Sequence, residues 1–313
     1  MLGLDMVLGL VGGKSSAGGW VAVTFGTARV TIAQIERSGG RPVVRICESY
    51  AREGSITDIL KRLKSAHRLG RRQCVTLLEE GQYQLLQMEL PANASNMSRD
   101  ELREALRWRV KEMVEFPVER AGIDLLDIPP VGNRPAQAWV VLASHDVLQP
   151  LIWQFQEARV ELAAIDIPEL ALRNLAASFE EANRGLALLF LDRQGGRLVI
   201  TYRGELYMTR HIDIGAAELA GAQAEAHYER VLLDIQRTLD GFERNYGAIN
   251  VARLLVGPMW QPSAFVDYLR SNLSLQVASA SLAEVMDLSS VSHLDDVAAQ
   301  ADAWLALGAA LRT

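Results

Sequence analysis

One stretch, from Gln84 to Ile128, constrains the fold of this chain more than any other: QLLQMELPANASNMSRDELREALRWRVKEMVEFPVERAGIDLLDI. It reads as strand, loop, helix, proline turn and strand. Leu86, Met88 and Leu90 alternate with Leu85, Gln87 and Glu89, and Pro91 ends the ladder because it has no amide to donate. Ser98 followed by Glu101 is a capping box, so a helix starts there. Leu102, Ala105, Leu106, Val110, Met113 and Val114 recur at helical spacing, which predicts a buried face. Arg103, Glu104, Arg107, Arg109 and Lys111 should form a solvated one. Phe116-Pro117 closes the helix, since the residue before proline is pushed out of the α region. Trp108 and Phe116 are candidates to line a peptide-binding groove, with core packing as the plainer role of either. The whole stretch reads as a unit inserted into a longer α/β chain.

Around it the pattern is mixed. Strands are expected at 20–24, 29–35, 41–48 and 74–78, with a helix capped by Ser55 between the last two. After the inserted unit come a strand at 139–143, a helix at 147–158, a strand around 161–166 and a helix from Pro168, which suits a first helical turn. A second half opens near Gly185 with strands at 186–191, 197–202 and 205–210, joined by turns at Gln194-Gly195-Gly196 and Arg203-Gly204. A long helix at 224–246, a strand at 251–256, a helix at 262–271 and a last one at 297–311 follow. The expected organisation is a tip and linker over 1–19, a first domain over 20–180 with an inserted subdomain at about 84–145, and a second domain over 181–313. Both halves begin with a glycine-turned hairpin and end in helices, which points to duplication without a clear sequence repeat.

Composition removes several function classes. A net charge of −6 and a pI near 5.5 argue against nucleic acid, which calls for a domain pI above roughly 9. Cys47 and Cys74 lie in apolar strand-like runs, so two buried thiols are expected rather than a disulfide. The apolar tip Met1–Val11 lacks a basic leader and falls short of the ~20 residues a span needs, so neither secretion nor a span is expected. His67, His145, His211, His227 and His293 are scattered without metal spacing, and Ser290–Asp296 reads as a loop into the last helix. No catalytic residue and no metal ligand is assigned. The basic run from Lys61 to Arg72, KRLKSAHRLGRR, is a solvated helix face or a contact for an anionic membrane.

The strand, the Leu90-Pro91 pair, the acid-opened helix, the aromatic-proline turn and the Asp-containing strand resemble the PilM family of type IV pilus assembly proteins. Within that family the chain is most similar to the MshI branch, which serves mannose-sensitive haemagglutinin (MSHA) pili. Further landmarks come in the same order: VELAAIDIPELAL at 160–172, GRLVITYRGELYMTR at 196–210 and LALGAALR at 305–312. The resemblance runs over roughly 20–313. It implies a two-domain α/β fold of the actin-like, ribonuclease H-like kind, with the inserted subdomain shared by PilM and the cell-division protein FtsA.

In actin-like ATPases two facing hairpins offer backbone amides to phosphates, and each carries an Asp that organises magnesium. A PilM-like first hairpin reads G-[IV]-D-[IL]-G-[ST], where this chain has Ala22-Val23-Thr24-Phe25-Gly26-Thr27, so Thr24 stands in the Asp position. In the second, D-I-G-x-x-x-[TS], Phe190 takes the Asp position and Asp192 that of the Gly. Where the third motif reads [VIL]-x-G-G-G, this chain has Leu255-Val256-Gly257-Pro258-Met259, so Pro258 and Met259 depart from it. Gly26, Thr27, Gly195, Gly196 and Gly257 are thus the remnant of a nucleotide cleft, with Phe190 expected to put a ring where a hydrated cation would sit. Asp192 is either a displaced ligand or a strand-end turn residue. No cofactor is expected, neither ATP nor magnesium.

The resemblance therefore implies a non-enzymatic scaffold, cytoplasmic and peripheral to the inner membrane. Its partners would be a PilN-like single-span protein, other platform proteins and the assembly ATPase, with a homo-oligomer possible. The tail of the PilN-like protein would dock between the first subdomain and the inserted one, with contacts from 84–128 and from the strands around Ile32 and Cys47. Two alternatives stand beside this reading. One is an active actin-like ATPase or kinase. The other is the cytoplasmic part of a type II secretion L-type protein, disfavoured because no membrane-spanning run is seen.

Overall fold

The computed structural model describes residues 19–37, 39–132, 134–260 and 264–312. The expected tip and linker lies, up to residue 18, outside the described residues, as does the start of the helix expected from Pro262. Two compact units are present, one holding the described residues up to Val30 with Tyr50–Pro168, the other Thr31–Ser49 with Glu169–Arg312.

Strands β1 (Val21–Phe25), β2 (Arg29–Glu36), β3 (Val43–Ala51), β4 (Cys74–Leu77) and β8 (Leu162–Asp166) form a sheet of order β3-β2-β1-β4-β8, with β4 parallel to both β1 and β8. Its counterpart is built from β9 (Gly185–Leu191), β10 (Gly196–Tyr202), β11 (Glu205–Ile212), β12 (Val251–Val256) and β13 (Gln276–Ser279), in the order β11-β10-β9-β12-β13. There β12 is parallel to β9 and β13, while β10 is antiparallel to β9 and β11. The two strand orders are the same, a duplication that the sequence only hinted at. Every residue of β4 and of β9 is buried, as central strands covered on both faces require.

In the second unit, α4 (Pro168–Phe179), α6 (Ala224–Tyr246) and α9 (Val297–Ala310) supply much of the core. Trp304 of α9 is fully buried and stacks on Phe179 at 6.5 Å and on Phe190 at 6.3 Å between ring centroids. Tyr228, Val231, Leu232, Ile235, Phe242 and Tyr246 form the buried stripe of α6, as helical spacing predicts. Leu239, at the same helical spacing, is only half-buried. The third motif leads instead to α7 (Phe265–Asn272).

In the first unit, α1 (Ile56–His67) packs on α3 (His145–Ala158). A third sheet, β5 (Gln84–Glu89), β7 (Gln137–Ser144) and β6 (Ala121–Ile128), is ordered β5-β7-β6 and carries α2 (Arg99–Arg109) on one face. Leu102 and Leu106 of α2 meet Met88, Ile123, Leu125, Val140 and Leu142, with Val110 and Val118 closing the cluster. Trp139, Val141, Leu126 and Ile128 on the other face are buried too, and α3 packs against β6 and β7.

Two expectations for α2 need correction. The helix stops at Arg109 rather than at Phe116: Val110 caps it and Met113 closes a turn onto the Val110 carbonyl at 2.9 Å. Val110 and Val114 still reach the core, but Met113 is 51 % exposed. Nor is the basic face simply wet. Arg99, Arg103 and Arg107, four residues apart and so on one side of the helix, run along β6. Arg99 reaches Asp127 at 3.0 Å and the Leu125 carbonyl. Arg103 donates to the buried Asp124 carboxylate at 2.8 Å and Arg107 to the carbonyls of Val118 and Ala121 at 2.6 and 2.8 Å. A guanidinium with several donors satisfies strand-edge carbonyls that would otherwise need water.

Candidate functional site

The first candidate turn joins β1 to β2. Gly26 and Thr27 are exposed at its tip, and the Gly26 amide closes the turn on the Arg29 carbonyl at 2.8 Å. Arg52, which sequence reasoning missed, organises this turn. Its backbone amide donates to Ala28 O at 2.9 Å, and its guanidinium donates to Gly26 O at 2.9 Å and to Glu79 at 3.1 Å. The same guanidinium lies 6.0 Å from the Phe25 ring centre, and Phe25 meets Phe155 edge-on at 6.4 Å. A cation held at the carbonyls of a turn stabilises its backbone without a bound phosphate.

The second candidate turn, between β9 and β10, is filled from within. Asp192 Oδ1 accepts the amides of Gln194 at 2.8 Å and of Gly195 at 3.0 Å. Such an amide pair is the kind of concavity that binds an anion, and here the chain's own carboxylate occupies it. Asp192 is the turn residue of the two roles open to it. Behind the turn, α5 (Ala216–Leu219) sends the Ala216 amide to Asp192 O at 2.7 Å. Gly196 is required by packing, because a Cβ there would stand 2.2 Å from the Phe190 carbonyl and 2.5 Å from Leu191 Cδ2. Gly195 is buried against His211 and Ile212, and Gly257 against Leu189 and Phe190. Gly196 and Gly257 therefore converge on β9 and Gly195 lies against the end of β11, whereas Gly26 and Thr27 belong to the other compact unit.

Phe190 departs from its expected role. Its ring is buried against Trp304, because the pleat of β9 turns that side chain into the core. A further pair had no signal in the sequence: the Arg193 guanidinium stacks 4.2 Å over the ring of Trp260, which follows the third motif and is 48 % exposed. Among the described residues no cluster of three or more His, Cys, Asp or Glu is arranged to hold a metal ion. Cys47 and Cys74 are free and buried, and burial first, with Glu48 and Glu161 second, pushes both thiols up to about 12.

The third candidate is the inserted subdomain. Trp108 is 65 % exposed with Lys111 5.3 Å over its ring, so it is not a core residue, while Phe116 packs partly buried against the subdomain's cluster. Of the two proposed groove residues, one faces solvent and the other the interior. Strand β5 is an edge. Leu90 N donates to Ala136 O at 2.8 Å, so the even-numbered residues bond to β7 and the backbone groups of Leu85, Gln87 and Glu89 face outward. The Glu89 carbonyl is taken by Arg109 at 2.6 Å. In the strands expected beside a docked tail, the side chains of Ile32 and Cys47 themselves are fully buried.

No helix among the described residues is long and apolar enough to cross a membrane. No family model matches the chain, and no curated protein matches it. Among solved structures it is similar to a PilM-PilN type IV pilus biogenesis complex, with a TM-score of 0.70 at 17% identity over 95% of this chain and 99% of that one. Looser likenesses are to the cytoplasmic domain of EpsL, an inner-membrane component of the type II secretion system of Vibrio cholerae (TM-score 0.45, 14% identity, 86% and 87% covered), and to a Bacteroides thetaiotaomicron protein described as having an actin-like ATPase fold (TM-score 0.48, 10% identity, 90% and 97% covered). The chain has the two-domain actin-like α/β fold, with the β5-β7-β6 subdomain inserted in its first half.

Proposed function

We propose that this chain is a non-catalytic scaffold of a type IV pilus assembly platform, of the MSHA type served by MshI proteins. It works at the cytoplasmic face of the inner membrane and docks the tail of a PilN-like single-span protein. The observations that carry the reading are that the inserted subdomain presents β5 as an edge strand and that its helix α2 carries the exposed Trp108. An extended apolar tail adds to such an edge through its backbone and places a side chain on an aromatic anchor. The likeness in fold to a PilM-PilN complex along nearly the whole of both chains supports the choice of partner.

Loss of nucleotide chemistry is the second half of the reading. The Asp192 carboxylate already holds the amides a phosphate would use, and Thr24 and Phe190 supply no carboxylate for a cation. Calorimetric titration with a synthetic PilN-like tail peptide tests the docking, and Trp108→Ala should weaken it at least tenfold, as loss of an aromatic anchor does. Equal affinity in the variant would remove Trp108 from the site. Magnesium-dependent ATP binding in the micromolar range would put a nucleotide switch in place of the scaffold.

A further inference from the structure

Helices α1 and α3 lie side by side with their last turns together: Lys64 Nζ donates to Ala158 O at 3.4 Å, and Lys61 lies 3.6 Å from Glu157. Both helices end on an arginine with φ of 54°, Arg68 after α1 and Arg159 after α3. Glycine is the residue that adopts this left-handed conformation without strain, so two arginines there put two cations at one corner against the local preference. Both are exposed, as is Lys61. Lys61, Lys64 and Arg68 recur at three and four residues and share one stripe of α1.

A second observation joins the first. Trp153 is 61 % exposed and sits one turn before Glu157, the partner of Lys61, on the same side of α3. An exposed tryptophan beside a row of cations is the composition of a surface that rests in the headgroup layer, where the ring inserts and the cations meet phosphate. The chain as a whole carries −6, so this corner runs against the net charge.

We propose that the α1–α3 corner docks directly on an anionic lipid bilayer, with Lys61, Lys64, Arg68 and Arg159 on the headgroup phosphates and Trp153 in the interface. The contact is independent of the peptide site, which lies on the inserted subdomain. The full chain is tested by co-sedimentation with vesicles of equal parts phosphatidylcholine and phosphatidylglycerol, and with phosphatidylcholine alone. Binding should require phosphatidylglycerol and weaken at high salt. The double variant R68E/R159E should lower the partition coefficient by more than tenfold, since each cation near such a surface contributes about fivefold. Trp153→Ala should lower it separately, with unchanged circular dichroism in both variants. Absence of binding to the anionic vesicles would overturn the proposal, as would equal binding by the variants. Capture by soluble polyglutamate with no vesicle binding would assign the corner to an acidic protein instead.

Discussion

Gly196 and Gly26 occupy comparable turns and are held there by different physics. A methyl at Gly196 would collide with the backbone of β9 at 2.2 Å, whereas one at Gly26 meets only Arg29 O at 3.5 Å. Gly196→Ala is therefore expected to cost about 2–3 kcal/mol through overpacking, and Gly26→Ala to stay within about 0.5 kcal/mol. Urea unfolding of both variants checks the contrast, and equal losses would contradict it. Cys47 and Cys74, with thiols pushed up to about 12, should resist a thiol reagent at pH 8 until the chain unfolds. At this scale the sequence was partly legible. Asp192 as a turn residue follows from its own chemistry, because its carboxylate caps amides two and three positions on. The side to which Phe190 turns was not, because it depends on Trp304, which is far away in sequence and supplied by the last helix.

Among the elements, α2 combines what a sequence reveals and what it hides. The capping box is local and is present as expected, with Ser98 Oγ accepting from the Glu101 amide at 3.3 Å and the Glu101 carboxylate accepting from the Ser98 amide at 2.7 Å. Ser98→Ala should cost about 1 kcal/mol. The Ser98 backbone amide, and then its hydroxyl, holds the Glu101 carboxyl below its usual value. That contribution is complete above the unfolded value of about 4.3 and is lost as pH falls through the lower folded one. Hydrogen-exchange protection in the first turn of α2, corrected for the intrinsic rate at each pH, should fall on acidification, and Glu101→Gln should remove that component. The arginine row on β6 had no local signal, since its partners are strand carbonyls and Asp124, reached only once the sheet has formed. Asp124 is 1 % exposed, so Arg103→Ala should cost about 2–3 kcal/mol by taking the guanidinium away from a buried carboxylate. Arg103→Ala with Asp124→Asn should recover part of the loss, whereas additive losses would show that the pair is not coupled. On β5, the outward amide of Gln87 makes Gln87→Pro tolerable to the ladder while it blocks an added strand. The variant should fold and fail to bind a tail peptide.

The whole molecule repeats one five-stranded order twice, and the sequence revealed this only through the position of its turns. Strand order is set by long-range pairing and leaves no period in the residues, while the glycine turns and all-apolar strands that pairing uses are local and readable. The same division explains the site. Its lost carboxylates are visible in the chain, but Arg52 on one turn and Arg193 over Trp260 at the other appear only in three dimensions. In the proposed reading, a fold that keeps its hairpins and satisfies them with its own side chains serves as a surface for partners. The most direct measurement is calorimetric titration of the full chain with the cytoplasmic tail peptide of the PilN-like protein from the same organism, with and without ATP and magnesium. Saturable binding of the same affinity in both conditions is the expected result. Absence of peptide binding, or binding that appears only with the nucleotide, would contradict a scaffold that has lost its nucleotide chemistry.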